Sequence, residues 1–210
     1  MLESINVAIL TGFIATFAFV SLTPGLCMTL ALTMGMQIGF KKTLWLMFGE
    51  LIGVAIVAIA SVMSVAVILL NYPQIFMVIK YGGGLYLAYI GINMWLSKGK
   101  LALNLNPLEQ RSPSRMALMF QGLITAVSNP KGWAFFIALL PPFIDQSKPL
   151  YPQLIILIGL IVLIEFASLC LYCEGGKTLR RLLQNTGNVK LINRISGSLM
   201  IGVAIWLAFG

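Results

Sequence analysis

The sequence predicts an all-α polytopic membrane protein, with six transmembrane helices as a 3+3 inverted-topology repeat and with helices 1 and 4 broken. Three observations carry that prediction: apolar stretches long enough to cross a bilayer, basic residues gathered in alternate connections, and a proline break in each half. Of the 210 residues, 59% are hydrophobic and 10% charged, at a mean hydropathy of +0.95. A soluble domain carries about 25% charged residues. Most of this chain must therefore face lipid.

The first span is expected over residues 5–40, inside 37 consecutive uncharged residues between Glu3 and Lys41. A straight helix of that length would run about 55 Å at about 1.5 Å per residue, well past a hydrocarbon core of about 30 Å. Something in it must bend. The bend falls at Ser21-Leu22-Thr23-Pro24-Gly25, because Pro24 lacks a backbone donor and clashes with the carbonyl four residues earlier. No Lys or Arg precedes this run and Glu3 sits where a signal peptide is positive, so it reads as a span rather than a cleaved leader. Lys41 and Lys42 close it.

The second span is expected over residues 44–70, ending at Asn71-Tyr72-Pro73-Gln74, and the third over 75–96, with Lys80 able to snorkel to the interface. Residues 98–115 read as a loop, holding Lys98, Lys100, Arg111 and Arg115 with Pro107 and Pro113. The fourth span covers 116–143, broken at Pro130 and ended by Pro141-Pro142. The fifth covers 151–173, stopped by Gly175-Gly176. A basic segment, 177–194, is expected along the surface, and the last span covers 195–209, with residues from Val189 available to lengthen it.

Basic residues set the orientation. The connections after spans one, three and five hold two, four and five Lys/Arg, the last five being Lys177, Arg180, Arg181, Lys190 and Arg194. That after span two holds none and that after span four only Lys148. The positive-inside rule then makes the odd connections cytoplasmic and puts both termini outside. One transmembrane domain, 1–210, follows, with halves of about 1–97 and 116–210. Three spans per half start the second half from the opposite face. Pro24 and Pro130 are 106 residues apart, Glu50 and Glu165 are 115 apart, and Lys80 and Arg194 are 114 apart.

Composition also narrows the chemistry. The formal charge of +8 belongs to loop residues between spans, which argues against a nucleic-acid partner. There is no histidine, so the usual metal ligand is missing. Neither a cofactor nor an enzymatic activity is indicated.

Paired breaks at corresponding positions are the best sequence pointer to a transport site at the midplane. A helix that starts after Pro24 or Pro130 presents unpaired N–H groups suited to a carboxylate. Gly25 lets backbone approach a ligand, and Ser21, Thr23 and Asn129 can satisfy groups freed by the breaks. Lys131 places a cation inside an apolar span, at about 2.5 to 3.5 kcal/mol, so it should face a cavity or a partner. Glu50 and Glu165, each within an apolar run, are candidates to hold an ammonium or a coupled proton. Cys170-Leu171-Tyr172-Cys173 offers an alternative, a membrane thiol-redox carrier with Cys27 behind the first break; on a helix the two cysteines simply share a face. The glycines of spans three and six (Gly82, Gly83, Gly84, Gly91, Gly197, Gly202) are expected to permit close helix approach.

Thr23-Pro24-Gly25, Lys80-Tyr81-Gly82-Gly83-Gly84-Leu85-Tyr86-Leu87 and Ser128-Asn129-Pro130-Lys131 together resemble the pattern of the LysE/RhtB amino-acid exporters, over essentially the whole chain. The resemblance implies a bacterial inner-membrane protein that exports amino acids or close derivatives by proton antiport or exchange, and a neutral one such as threonine, homoserine or leucine is expected. Its motif positions fall on Pro24, Gly25, Asn129, Pro130 and Lys131. Two departures stand out. Leu26 replaces a proline common after the glycine, and Val54 follows Gly53 where many members carry an Asp, which leaves Glu50 or Glu165 as the acid. The partners expected are a small zwitterionic solute and the lipid bilayer, with a homo-oligomer left open.

Overall fold

Long apolar runs without the apolar/polar alternation of a barrel strand leave the backbone to satisfy itself in lipid by helix. The computed structural model describes residues 7–71, 73–97, 113–140, 143–145, 148–175 and 186–209. Among these residues the regular structure is helical: α1 (Val7–Leu22), α2 (Leu26–Ile38), α3 (Phe40–Asn71), α4 (Pro73–Leu96), α5 (Arg115–Val127), α6 (Pro130–Leu139), α7 (Leu150–Glu174) and α8 (Thr186–Phe209). The expected features Glu3, Tyr72, Lys98, Lys100, Pro107, Arg111, Pro141, Pro142, Gly176, Lys177, Arg180 and Arg181 lie outside the described residues.

Both breaks form where proline demands them. α1 and α2 are bent by 55° at Leu22–Leu26, and α5 gives way to α6 across Ser128 and Asn129, with Pro130 in the first turn of α6. Proline is tolerated there because its missing N–H is one of the helix's unpaired donors anyway.

Three boundaries differ from the sequence expectation. Lys41 and Lys42 do not close a span but sit in the first turn of α3, which starts at Phe40 rather than residue 44. Gly39 reverses the chain in a single residue at φ 79°, a backbone conformation that favours glycine, and Thr43 then bonds the Gly39 carbonyl through both its amide and its hydroxyl. The fourth span's helix ends at Leu139, short of 143. α8 begins at Thr186, so Lys190 and Arg194 are helical. Val189 and Asn193 are buried there, and Asn193 donates to Ser97 Oγ at 2.7 Å, which holds the added turns against the end of α4.

By length and composition, Phe40–Ser64 of α3 and all of α7 can each cross a membrane, and Leu10–Leu22 with Leu26–Ile38 is long and apolar enough for a third span if the bent pair is counted as one. Phe48, Ile52, Ile56, Ile59 and Met63 of α3 are exposed along one stripe, while Leu46, Met47, Glu50, Val54, Val57 and Ser61 are buried on the other. An apolar outer face of that kind suits lipid.

Helices in lipid gain little from hydrophobic association, so close backbone contact has to hold them. α3 carries Gly49 and Gly53 and α5 carries Gly122 and Ala126, small residues spaced by four on each helix. A Cβ at Gly49 would fall on the Met119 carbonyl, one at Gly122 on the Leu46 carbonyl, and one at Gly53 on the Ala126 side chain. α4 and α8 meet the same way at Gly91 and Gly197, each facing the other's carbonyl. The glycines expected to pack therefore divide. Gly91 and Gly197 do so, whereas a Cβ at Gly82 or Gly202 would meet nothing within 4 Å. Arg194 lies over the Trp95 ring at 4.7 Å, and Trp95 Nε1 donates to Ser198 at 3.1 Å, further tying α4 to α8.

Candidate functional site

Every interruption of a helix frees carbonyls and amides that lipid cannot satisfy. At the first break, Thr23 turns its hydroxyl back to the Phe19 carbonyl at 2.9 Å, and Tyr172 of α7 donates to the Leu22 carbonyl at 2.8 Å. Lys131, from the start of α6, supplies the rest: its Nζ donates to the Val20 carbonyl at 2.9 Å and the Thr23 carbonyl at 3.4 Å. A cation at the C-terminal end of α1 also meets the negative end of that helix's dipole. At the second break, Asn129 accepts from the Lys131 amide at 3.1 Å and Trp133 Nε1 donates to the Val127 carbonyl at 2.7 Å. The two breaks thus meet, and Lys131 belongs to both.

Between them is a cavity with room for the centres of a few waters, about 50 Å³. Ser21, Thr23, Gly25, Asn129, Lys131 and Glu165 supply its polar side, and Phe17, Val20, Met28, Val54, Val57, Phe135 and Phe136 much of its apolar side. Glu165, 8% exposed, accepts a 2.5 Å hydrogen bond from Ser21, whose oxygen lies 2.9 Å from Ser168 Oγ and can accept from it. Asn129 Nδ2 reaches Cys27 Sγ at 3.7 Å. Lys131 and Glu165 share the cavity without forming an ion pair within 4 Å; among the described residues the ion pair formed is Lys148 with Asp145 at 3.8 Å.

The structure therefore brings together Thr23, Gly25, Asn129, Lys131 and Glu165, as the two breaks suggested. Pro24 and Pro130 shape the breaks without lining the cavity; Pro130 borders a separate groove against Gly82, Gly83 and Tyr86 of α4. Glu50 is fully buried outside the cavity lining, one helical turn along α3 from Val54, and both its carboxyl oxygens lack a hydrogen-bond partner among the described residues. The Cys27 thiol lies beside it as a weak potential donor. Ser21 departs from its expected role: its hydroxyl serves Glu165 and not the broken backbone. Tyr172 and Trp133 were not expected as backbone partners, although a phenol or an indole inside an apolar run always needs an acceptor. Cys173 packs against the backbone of Gly35 on α2, a helix contact.

Stability alone does not account for Lys131. Hydrogen bonds between helices in a membrane average about 0.6 kcal/mol, so two of them fall short of the roughly 2.5 to 3.5 kcal/mol that a buried cation costs.

An apolar helical chain whose interrupted helices converge on a small cavity with polar groups on one side has the character of a polytopic membrane protein. Residues 18–210 match the LysE type translocator family, and the chain belongs to it. It is 28% identical over 194 residues to a leucine efflux protein of Enterobacter sp. strain 638, covering 90% of each chain. It is 24% identical over 197 residues to a homoserine/homoserine lactone efflux protein of Salmonella typhimurium, covering 94% of each. An uncharacterized membrane protein of Vibrio cholerae is 25% identical over 197 residues, covering 94% of this chain and 95% of that one. No solved structure matches it.

Proposed function

We propose that the protein exports a neutral amino acid or close derivative across the bacterial inner membrane, coupled to proton entry. The observation that carries this reading is the meeting of the two breaks around one half-buried lysine and one buried carboxylate that form no ion pair with each other. Such a pair complements a zwitterion. An ammonium has three donors, and Lys131 commits two to carbonyls of the first break, which leaves one for a solute carboxylate. Glu165 takes the solute ammonium, and Glu165 or Glu50 behind it takes the counter-moving proton. The remaining walls are aliphatic and aromatic, which favours an uncharged side chain, since a charged one would be left without a partner.

The same reading takes the chain as six spans in two inverted halves, with both termini periplasmic. What supports it is reciprocal packing: α3 lies against the broken pair α5–α6, and α7 lies against the broken pair α1–α2. Rocking of one half against the other would then open the cavity to alternate sides.

Inverted vesicles that contain the protein, offered labelled leucine, threonine, homoserine and lysine under a pH gradient, test it directly. Uptake of one of the three neutral solutes, dependent on the protein and on the gradient, is expected. Failure of all four to enter would end the export reading. The Cys170→Ala/Cys173→Ala double variant should keep transport within about threefold of wild type, the scale of a packing change. Complete loss in that variant, with folded protein, would favour thiol redox chemistry instead.

A further inference from the structure

Two buried carboxyls, one in the cavity and one behind it, have different surroundings, and the difference assigns them different work. Glu165 opens on the cavity and is oriented by Ser21, itself within hydrogen-bonding distance of Ser168. An acid held that way is poised to receive a solute ammonium. Glu50 has neither access nor support. It is 0% exposed, and its oxygens find no hydrogen-bond partner among the described residues. A bare carboxylate in such a place would cost many kcal/mol, and a proton bound to it removes that cost.

Resting on the export reading, we propose that Glu50 is a proton site separate from the solute site: it takes a proton from the cavity side past Cys27 and releases it toward the α3 N-terminus, while Glu165 holds the solute.

Its position supports this. Glu50, Val54 and Val57 share one face of α3, and the two valines line the cavity, so Glu50 sits one turn closer to the Phe40 end. Phe40 lies about ten residues away, roughly 15 Å along the helix, and the basic residues Lys41 and Lys42 mark that end as the cytoplasmic one. A proton that enters against an exported solute must leave on that side. The titratable groups facing Glu50 are Cys27 on α2 and Glu165 on α7, with Lys131 of α6 acting on both of those. From α5 the contact is backbone: a Cβ at Gly122 would press on the Glu50 amide. Gly49 and Gly122 fix Glu50 at the α3–α5 crossing, so relative motion of the halves would change what surrounds its carboxyl. The step is a simple protonation, in which the carboxylate binds a proton on one side and the carboxyl gives it up on the other.

The experiment uses the full-length protein in proteoliposomes with a neutral solute that wild type transports, and compares solute exchange at equal pH with accumulation driven by a pH gradient. Glu50→Gln, which imitates the protonated acid, should keep exchange within about threefold, lose gradient-driven accumulation by tenfold or more, and flatten the pH profile. Glu50→Asp should restore the pH dependence. Glu165→Gln should lose both activities. In the wild-type protein, dicyclohexylcarbodiimide, which reacts with protonated carboxyls in apolar surroundings, should label Glu50 and not Glu165, as read by peptide mass spectrometry. The proposal falls if folded Glu50→Gln loses exchange as completely as Glu165→Gln, if it still accumulates solute under the gradient, or if the label lands on Glu165 alone. Exchange by wild type without any response to pH would overturn the proton site while leaving solute transport intact. Absence of both activities in wild type would instead remove the export reading beneath it.

Discussion

Lys131→Ala should reduce transport at least a hundredfold, equivalent to about 2.7 kcal/mol at the site, while the protein remains folded in the membrane. Two effects separate in this variant. Removing the ammonium leaves the Val20 and Thr23 carbonyls without a donor each, a structural loss near 0.6 kcal/mol per bond. It also removes the only cation lining the cavity among the described residues, which no relaxation of neighbours replaces. The second effect should dominate. Lys131→Arg should recover little, because a planar fork cannot place one donor on each carbonyl and a third into a cavity of this size. Transport per folded protein, from labelled uptake and detergent-solubilised yield, measures both effects. Uptake within threefold of wild type would reduce Lys131 to a cap on α1.

Gly49→Val should prevent assembly altogether. The new side chain would meet the backbone carbonyl of Met119, which lies in a helix and has nowhere to move. Overpacking ordinarily costs 1 to 3 kcal/mol, and a clash with backbone at the closest helix crossing should exceed that range. The control is Gly82→Ala, where a methyl meets nothing within 4 Å. Fluorescence-detected size exclusion should show aggregated or absent Gly49→Val beside a monodisperse Gly82→Ala. Normal yield of Gly49→Val would mean that α3 and α5 are held by something other than their glycines.

Much of the fold was legible because lipid leaves few options: an apolar run forms a helix, and a proline inside one breaks it. Pro24 and Pro130 located both interruptions, and the cost of a buried cation pointed Lys131 into the interior. What was not legible has common physical causes. A one-residue turn at Gly39 needs only a positive φ, which composition does not announce, so Lys41 and Lys42 read as a loop. The Gly49-x-x-x-Gly53 spacing was present in the sequence, but spacing does not say which helix lies opposite, and the partner Gly122-x-x-x-Ala126 lies about 70 residues away. The two glutamates looked equivalent as isolated acids in apolar runs. Only the neighbours brought by other helices, Ser21 and Ser168 for one and Cys27 for the other, distinguish them.

The aromatic side of the cavity has one more consequence. Phe17 packs with Phe135 at 5.5 Å and Phe136 at 5.9 Å, stacks with Phe13 at 5.7 Å, and Phe13 in turn meets Phe143 at 5.2 Å. Five rings linked in a chain of contacts offer no lone pair along which a proton could hop. That wall is as apolar as the surrounding hydrocarbon, so water and ions would find no polar foothold along it.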